Sequence, residues 1–390
     1  MDSNKLSDAL VHLGRNSGIS KGSVNLPVFQ SSTILFDTLA DFEYARDHRY
    51  ECGTLYYGRY GHPASFELEK MMAELEGGDS AITVSSGLAA ITISLMAVAK
   101  AGTHVLVADN VYSPTRAFCD NVLVRYGVEV SYFDSMIGKD ISALFKENTA
   151  AVMYEAPGSG TFEVPDIPAI SAATRAHGAL SILDATWATP VFCQPLQLGV
   201  DVVVHSGSKY IGGHADLMIG FIVCQSHLYE PLRKMALAFG EKAGATDVSL
   251  ALRGLRTLEM RMQHHYSHGL IVATWLAEQP IVKKVLHPAL TSCPGHENWK
   301  RDFSGAGGLF SVIFDTPDTN KVRAFVDSLK LFSIGLSWGG FESLVLPVNP
   351  KASRTASNWE TTGSLVRFNI GNENTDSLID DLKQALQNLE

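Results

Sequence analysis

Seven short apolar runs recur along the first two thirds of the chain, at 81–85, 104–108, 128–133, 151–155, 180–184, 201–205 and 219–224. Each is five or six residues long, and most are apolar at consecutive rather than alternate positions. That pattern belongs to strands buried on both faces. Between most of them the apolar residues return at helical spacing, as over 88–100 and 167–177. Strands alternating with helices predict an α/β fold, a largely parallel sheet covered by helices. Ligands of such sheets bind beyond the C-terminal strand ends, so the residues that follow each run are where chemistry is expected.

Beyond about 250 the texture changes. A helix is predicted over 252–268, a Pro/Gly/His loop around 287–296, a strand over 308–314, and helices over 320–329 and 375–389. This reads as a smaller α+β domain at 251–390, following a large domain at 61–250. Residues 1–60 have no strong periodicity but carry Leu55-Tyr56-Tyr57-Gly58-Arg59-Tyr60-Gly61. An arm rich in Tyr and Arg is expected to pack on another surface, with a neighbouring subunit the natural choice.

Composition narrows the function classes. The chain has 390 residues, 46% hydrophobic and 18% charged, enough apolar residue for a large core. Disordered, collagen-like and small disulfide-stapled proteins are excluded. A formal charge of -10 would repel a phosphate backbone, which argues against non-specific nucleic-acid binding. The five cysteines are odd in number, dispersed and without CxxC spacing, so reduced thiols in a cytoplasmic protein are expected. The N-terminal residues lack the apolar core of a signal peptide, and no apolar run approaches the roughly 20 residues of a membrane span.

Three strand ends carry candidate chemistry. Val84-Ser85-Ser86-Gly87-Leu88 leads from a strand into a helix, either an ordinary N-cap or a nest of free N–H groups for an anion. Asp184 ends an apolar strand, as a turn residue or as a buried anion paired with a protonated ring nitrogen. Lys209 lies in Ser206-Gly207-Ser208-Lys209-Tyr210-Ile211-Gly212-Gly213-His214, directly after another strand. It is either a solvated loop lysine or a desolvated amine able to form a Schiff base. An anion nest, a strand-end carboxylate and a strand-end lysine together meet the needs of pyridoxal phosphate, with Tyr112 placed to cover its ring.

With these motifs the chain resembles the Cys/Met-metabolism group of fold-type I pyridoxal-phosphate enzymes, most like its bacterial cystathionine β-lyases. The resemblance runs through Tyr57-Gly58-Arg59, Ser86-Gly87-Leu88, Asp109-Asn110-Val111-Tyr112, Glu155-Ala156-Pro157-Gly158-Ser159, Asp184-Ala185-Thr186-Trp187, Ser208-Lys209-Tyr210, Ser337-Trp338-Gly339-Gly340 and Val366-Arg367-Phe368. It implies an aminotransferase-like, mostly parallel seven-stranded sheet. Lys209 would hold the cofactor and move protons, Asp184 would pair with the pyridine nitrogen, and Tyr112 would stack on the ring and accept the incoming amine's proton. Ser86, Gly87, Leu88, Ser206 and Ser208 would cradle the phosphate. Tyr57 and Arg59 would reach a neighbouring subunit's phosphate site in a homotetramer of catalytic dimers, and Arg367, Ser337 and Trp338 would bind the substrate.

The implied reaction is β-elimination of cystathionine or a related cysteine S-conjugate to a thiol, pyruvate and ammonia. A γ-lyase or γ-replacement enzyme, and a non-catalytic binding protein of the same fold, are the alternatives. Ser159 and Trp338 favour the β-lyase branch. Leu336, Gly160, Gly207-Ser208 and Asn369 differ from the residues common at those places, the first two at the side-chain pocket.

Some features are read as structural. His264 and His268, four apart on a helix, are expected to form a polar face rather than a metal pair. Met71, Met72, Met260 and Met262 are expected in the core. Glu342 is expected to bind backbone N–H groups in its turn, and His214 to pack or hydrogen-bond.

Overall fold

The computed structural model describes residues 3–359 and 363–389. Its larger sheet comprises β1 (Ser80–Val84), β2 (His104–Ala108), β3 (Glu129–Phe133), β4 (Thr149–Glu155), β5 (Leu180–Asp184), β6 (Val202–Ser206) and β7 (Gly220–Cys224), in the order β1-β7-β6-β5-β4-β2-β3. Strands β2 to β6 run parallel to their neighbours, and β7 is antiparallel to both β6 and β1. Six strands therefore present their C-terminal ends at one edge. Every residue of β2 is buried, as are Ala81–Val84 and Val202–His205, because helices cover both faces. The observed strands match the expected runs to within two residues.

Local chemistry starts and stops the flanking helices. Pro63–Glu76 opens with Pro at its first position and a capping box between His62 and Ser65, and ends at Gly77 in the left-handed conformation, φ 72°. Gly87–Val98 is capped by Ser86, whose Oγ accepts from Ala89 N at 3.1 Å.

A second sheet comprises β8 (Val282–Leu286), β9 (Leu309–Phe314), β10 (Ser333–Ile334), β11 (Leu344–Val348) and β12 (Ser364–Asn369), in the order β10-β11-β12-β9-β8. Its own core gathers Phe310, Phe314, Phe325, Phe332 and Phe368 with Leu378 and Leu382. Two hydrogen bonds tie it to the first sheet beside Lys209: Trp187 Nε1 donates to Leu309 O, and Gly308 N donates to Tyr210 Oη.

Three expectations are corrected. The helix over 252–268 is two helices, Ala245–Leu255 and Leu258–Ala277. The break follows from docking: Gly254 sits against the carbonyls of Ile211 and Gly212, and Arg256 turns away to donate to Leu10 O and Leu13 O. Those contacts also place the first helix, Ser3–His12, on this chain's own core through Leu6, Ala9 and Leu10, so only the later arm is free to meet another surface. Met71, Met72 and Met262 are buried, whereas Met260 is 73% exposed. Among the described residues no helix is long and apolar enough to cross a membrane. Four thiols are buried and free, and Cys52 is free and exposed.

Candidate active site

The end of β1 runs through Ser85 and Ser86 into a helix whose first N–H groups, at Gly87 and Leu88, have no intrahelical acceptor. Glycine is required here by close approach: a Cβ on Gly87 would lie 2.4 Å from Ser206 Cβ and 2.8 Å from Ser206 Cα. The helix N-terminus is thus pressed against the end of β6, and the positive end of its dipole faces the Ser206–Lys209 turn. Ser208 closes the other side, its Oγ accepting from Ile219 N at 3.2 Å.

Asp184 ends β5 with its side chain buried. Both of its hydrogen bonds converge on one oxygen: Thr186 N donates to Oδ1 at 2.9 Å and Thr186 Oγ1 at 2.5 Å. Oδ2 has no partner among the described residues. Burial raises the Asp184 pKa, against the bonds from Thr186 and the nearby Lys209. A cationic partner at Oδ2 would reverse that direction. Thr186 Oγ1 also accepts from Ser206 N at 2.8 Å, so one hydroxyl links the carboxylate to the anion nest.

Lys209 follows β6 and is largely desolvated. Burial, then the charge of Arg367, pushes its amine down to about 8, with Asp184 opposing. Its Nζ donates to Ser337 Oγ at 2.7 Å and lies 5.4 Å from the centre of the Trp338 ring. Arg367, on β12, donates through Nη2 to Leu336 O at 2.7 Å. Asn369, two residues on, accepts from Gly339 N at 3.1 Å and donates to Glu342 O at 2.9 Å, which fixes the Ser337–Glu342 turn from both ends. The second sheet thereby delivers Arg367, Ser337 and Trp338 to the lysine.

Tyr112 lies beyond the end of β2 and is 44% exposed. Its backbone N donates to Glu155 Oε2 at 2.7 Å. Glu155 ends β4 in register with Asp184, and burial followed by the Asp184 charge raises its pKa well above the ordinary carboxylate range. Burial, then Glu155 and Asp184, raises the Tyr112 phenol as well.

One group of expected site residues thus converges from both sheets: Lys209, Asp184, Tyr112, Ser86, Gly87, Leu88, Ser206, Ser208, Arg367, Ser337 and Trp338. Tyr57 and Arg59 stand apart. Arg59 donates to Leu237 O at 2.8 Å with its guanidinium over Tyr60, and Tyr57 is 42% exposed. Thr186 and Glu155 were given no role by sequence reasoning, and Asn369 was noted only as an unusual residue at its place. A hydroxyl two residues after a strand-end aspartate was a usable signal for Thr186; nothing local marked a role for the other two.

The unusual positions have local causes. Gly160 has φ +77°, and a Cβ there would lie 3.3 Å from Val348. Leu336 is 77% exposed at the mouth of the site. Glu342 does not bind backbone N–H groups: its Oε2 is buried without a partner, and Glu373 instead accepts from Ser343 N and Oγ. The ring centres of His264 and His268 lie 3.7 Å apart with the planes tilted by 43°, and His214 Nδ1 bonds Gly212 O.

These residues fit pyridoxal phosphate. An uncovered helix N-terminus with no side chain at Gly87 suits a phosphate, a buried carboxylate keeps one oxygen open, and an amine of lowered pKa feels that carboxylate's charge. Comparison with known proteins agrees. The profile of the family described as "Cys/Met metabolism PLP-dependent enzyme" matches residues 7–387. The chain is 41% identical to a cystathionine beta-lyase of Escherichia coli (strain K12) over 98% of each chain. It is 39% identical to an L-alanine/L-glutamate racemase of Wolbachia pipientis wMel, over 97% of this chain and 96% of that one. The crystal structure of metB from Corynebacterium glutamicum superposes with a TM-score of 0.91 at 32% identity, covering both chains fully.

Proposed function

The chain belongs to the Cys/Met-metabolism family of PLP-dependent enzymes, and from that premise we propose that it is a carbon–sulfur β-lyase acting on cystathionine. The observation that carries this reading is the convergence on Lys209 Nζ of Ser337 from one sheet and Asp184 from the other. Pyridoxal phosphate, when bound, supplies an electron sink conjugated to the substrate's Cα.

The chain's own residues do the rest. Lys209 Nζ would hold the cofactor, and as a neutral amine, the form its burial favours, it takes the substrate's Cα proton. Asp184 would pair with the ring nitrogen of the cofactor and keep it protonated, while Thr186 occupies Oδ1. The N–H groups of Gly87 and Leu88, with Ser86, Ser206 and Ser208, bind the phosphate. Arg367 clamps the α-carboxylate bidentately beside Ser337 and Trp338. Tyr112 would cover the ring face, and its phenolate, which burial together with Glu155 and Asp184 disfavours in the protein alone, would accept the proton of the incoming amine. The C–S bond breaks as the Cα proton is removed, and the thiolate leaves with a proton. Addition of water completes the balance: cystathionine and water yield homocysteine, pyruvate and ammonia.

Tyr57 and Arg59 act on the phosphate of an adjacent subunit in a homotetramer of catalytic dimers. The exposure of Tyr57 (42%), and of Val24 (69%), Leu35 (90%) and Leu39 (71%) on the same arm, supports this. Residues 1–60 are this arm, 61–250 the cofactor domain and 251–390 the smaller domain. The free thiols suit a cytoplasmic enzyme.

A second reading, racemisation of a small amino acid, is favoured by the Wolbachia relative. Both reactions begin with loss of the Cα proton and part at the β-carbon. Incubation of the holoenzyme with L-cystathionine and with L-alanine separates them. Pyruvate, ammonia and homocysteine in equal amounts support the lyase; D-alanine without pyruvate from cystathionine overturns it in favour of the racemase. Formation of 2-oxobutyrate would instead mark γ-elimination.

A further inference from the structure

Tyr112 makes no side-chain hydrogen bond among the described residues, so its ring stands wherever its backbone puts it. That backbone is gripped by a segment of the second sheet. Residues 349–359, which follow β11, cross to the C-terminal end of β2. There the Arg354 side chain, 3% exposed, lies between two carboxylates: Nη1 is 2.9 Å from Asp109 Oδ1 and Nη2 is 3.0 Å from Glu163 Oε1. Asp109, fully buried at its side chain, receives three more hydrogen bonds from the same strap, from Ala356 N at 3.1 Å, Ser357 N at 2.7 Å and Ser357 Oγ at 2.7 Å. Glu163 accepts in turn from Asn110 Nδ2 at 3.2 Å. On the far side of Tyr112, Arg116 donates to Thr355 Oγ1 at 2.9 Å and to Ser353 O.

Residues 109, 110 and 116 bracket Tyr112, and all three are fastened to the strap directly or through Glu163. We propose that Arg354 is a positioning residue, which sets the Tyr112 ring over the cofactor by clamping Asp109 and Glu163. The inference rests on Tyr112 being the ring-covering residue of the proposed lyase. Its physical basis is the planar fork of guanidinium, which serves two acceptors at fixed geometry; a lysine ammonium cannot hold both. It also means that the second sheet, which carries Arg367, and the first, which carries Tyr112, are indexed to each other by one side chain.

The test uses holoenzyme loaded with pyridoxal phosphate and the variants Arg354→Lys, Tyr112→Ala and their combination. Arg354→Ala leaves two buried carboxylates without a cation and can fail to fold, so Arg354→Lys is the decisive variant. It is expected to keep cofactor loading, lose half or more of the visible circular dichroism of the bound cofactor, and lower kcat about 10- to 100-fold with KM for cystathionine within about threefold, as for a small misplacement of a reacting group. In the Tyr112→Ala background the same change should have no further effect on either signal. A latch that only stabilises the fold would lower the melting temperature while leaving the dichroism intact, or would give losses that multiply in the double variant; either result overturns the proposal. If wild type loads cofactor but releases no pyruvate, the lyase reading fails while the dichroism of Arg354→Lys still judges Arg354. If wild type binds no cofactor, both fall.

Discussion

Thr186→Val isolates one hydroxyl at the centre of the site. Valine keeps the shape of threonine, so little cavity is made, and the bond from the residue's backbone N to Asp184 at 2.9 Å survives. Two interactions of Oγ1 are lost, at 2.5 Å to Asp184 Oδ1 and at 2.8 Å from Ser206 N. They act on different quantities. A hydrogen bond to an ionised carboxylate contributes about 1.5–3 kcal/mol. Its loss raises further a pKa that burial has already raised, and so weakens the hold on a cationic ring nitrogen. Cofactor affinity should fall about 10- to 100-fold, at about 1.4 kcal/mol per factor of ten. Loss of the acceptor for Ser206 N costs about 1–3 kcal/mol, but it does so with or without cofactor and appears in the melting temperature of the apo protein. Titration of apo protein with pyridoxal phosphate, followed by absorbance, reads the first effect, and thermal denaturation without cofactor reads the second. Thr186→Ser, which keeps the hydroxyl, is the control. If valine binds cofactor within about threefold of serine and wild type, Oγ1 does not support Asp184 and the reasoning is wrong.

Three further outcomes are expected. Burial disfavours the Lys209 ammonium, and only the neutral amine captures an aldehyde, so reconstitution of apo protein should speed up with pH to about 8 and then level. A rate still climbing at pH 10 would mean an ordinary lysine. Arg367→Lys removes the bidentate clamp and should raise KM for cystathionine by about tenfold or more with kcat within about threefold, read from steady-state pyruvate release. An unchanged KM would place the α-carboxylate elsewhere. Gly87→Ala puts a methyl 2.4 Å from Ser206 Cβ, an overpacking of about 1–3 kcal/mol. It should weaken cofactor binding at least about fivefold in the same titration, and wild-type affinity would show that the helix N-terminus does not meet the phosphate.

The chemistry of the site depends on charges held out of water in a fixed order. Along the strand ends lie Glu155 on β4, Asp184 on β5 and the Lys209 turn after β6. Glu155 and Asp184 stand in register on adjacent strands, and each raises the cost of ionising the other. A cation at Asp184 Oδ2 would oppose the upward shift that burial gives its pKa. The second sheet contributes the complementary pair, Arg367 and Ser337, one lowering the lysine pKa and the other accepting its proton-bearing bond.

How much of this was legible beforehand depended on range. Runs such as 105–108 and 202–204 are apolar at every position, which points to burial on both faces; the strands, with Asp184 at the end of one and Lys209 just after another, followed at once. The strand-end motifs, with the family resemblance they carry, pointed to the cofactor. Features that depend on a distant partner were invisible: the break before Leu258, created by Gly254 meeting Ile211 and Gly212; the exposure of Met260; the choice of Glu373 over Glu342 as the carboxylate of its turn; and the hold of Asn369 and Arg354 on segments far away in sequence. The reason is physical. Burial pattern and strand-end placement are local consequences of side-chain polarity, whereas which carboxylate meets which donor is settled only when two sheets close on one another and every buried charge must find a partner.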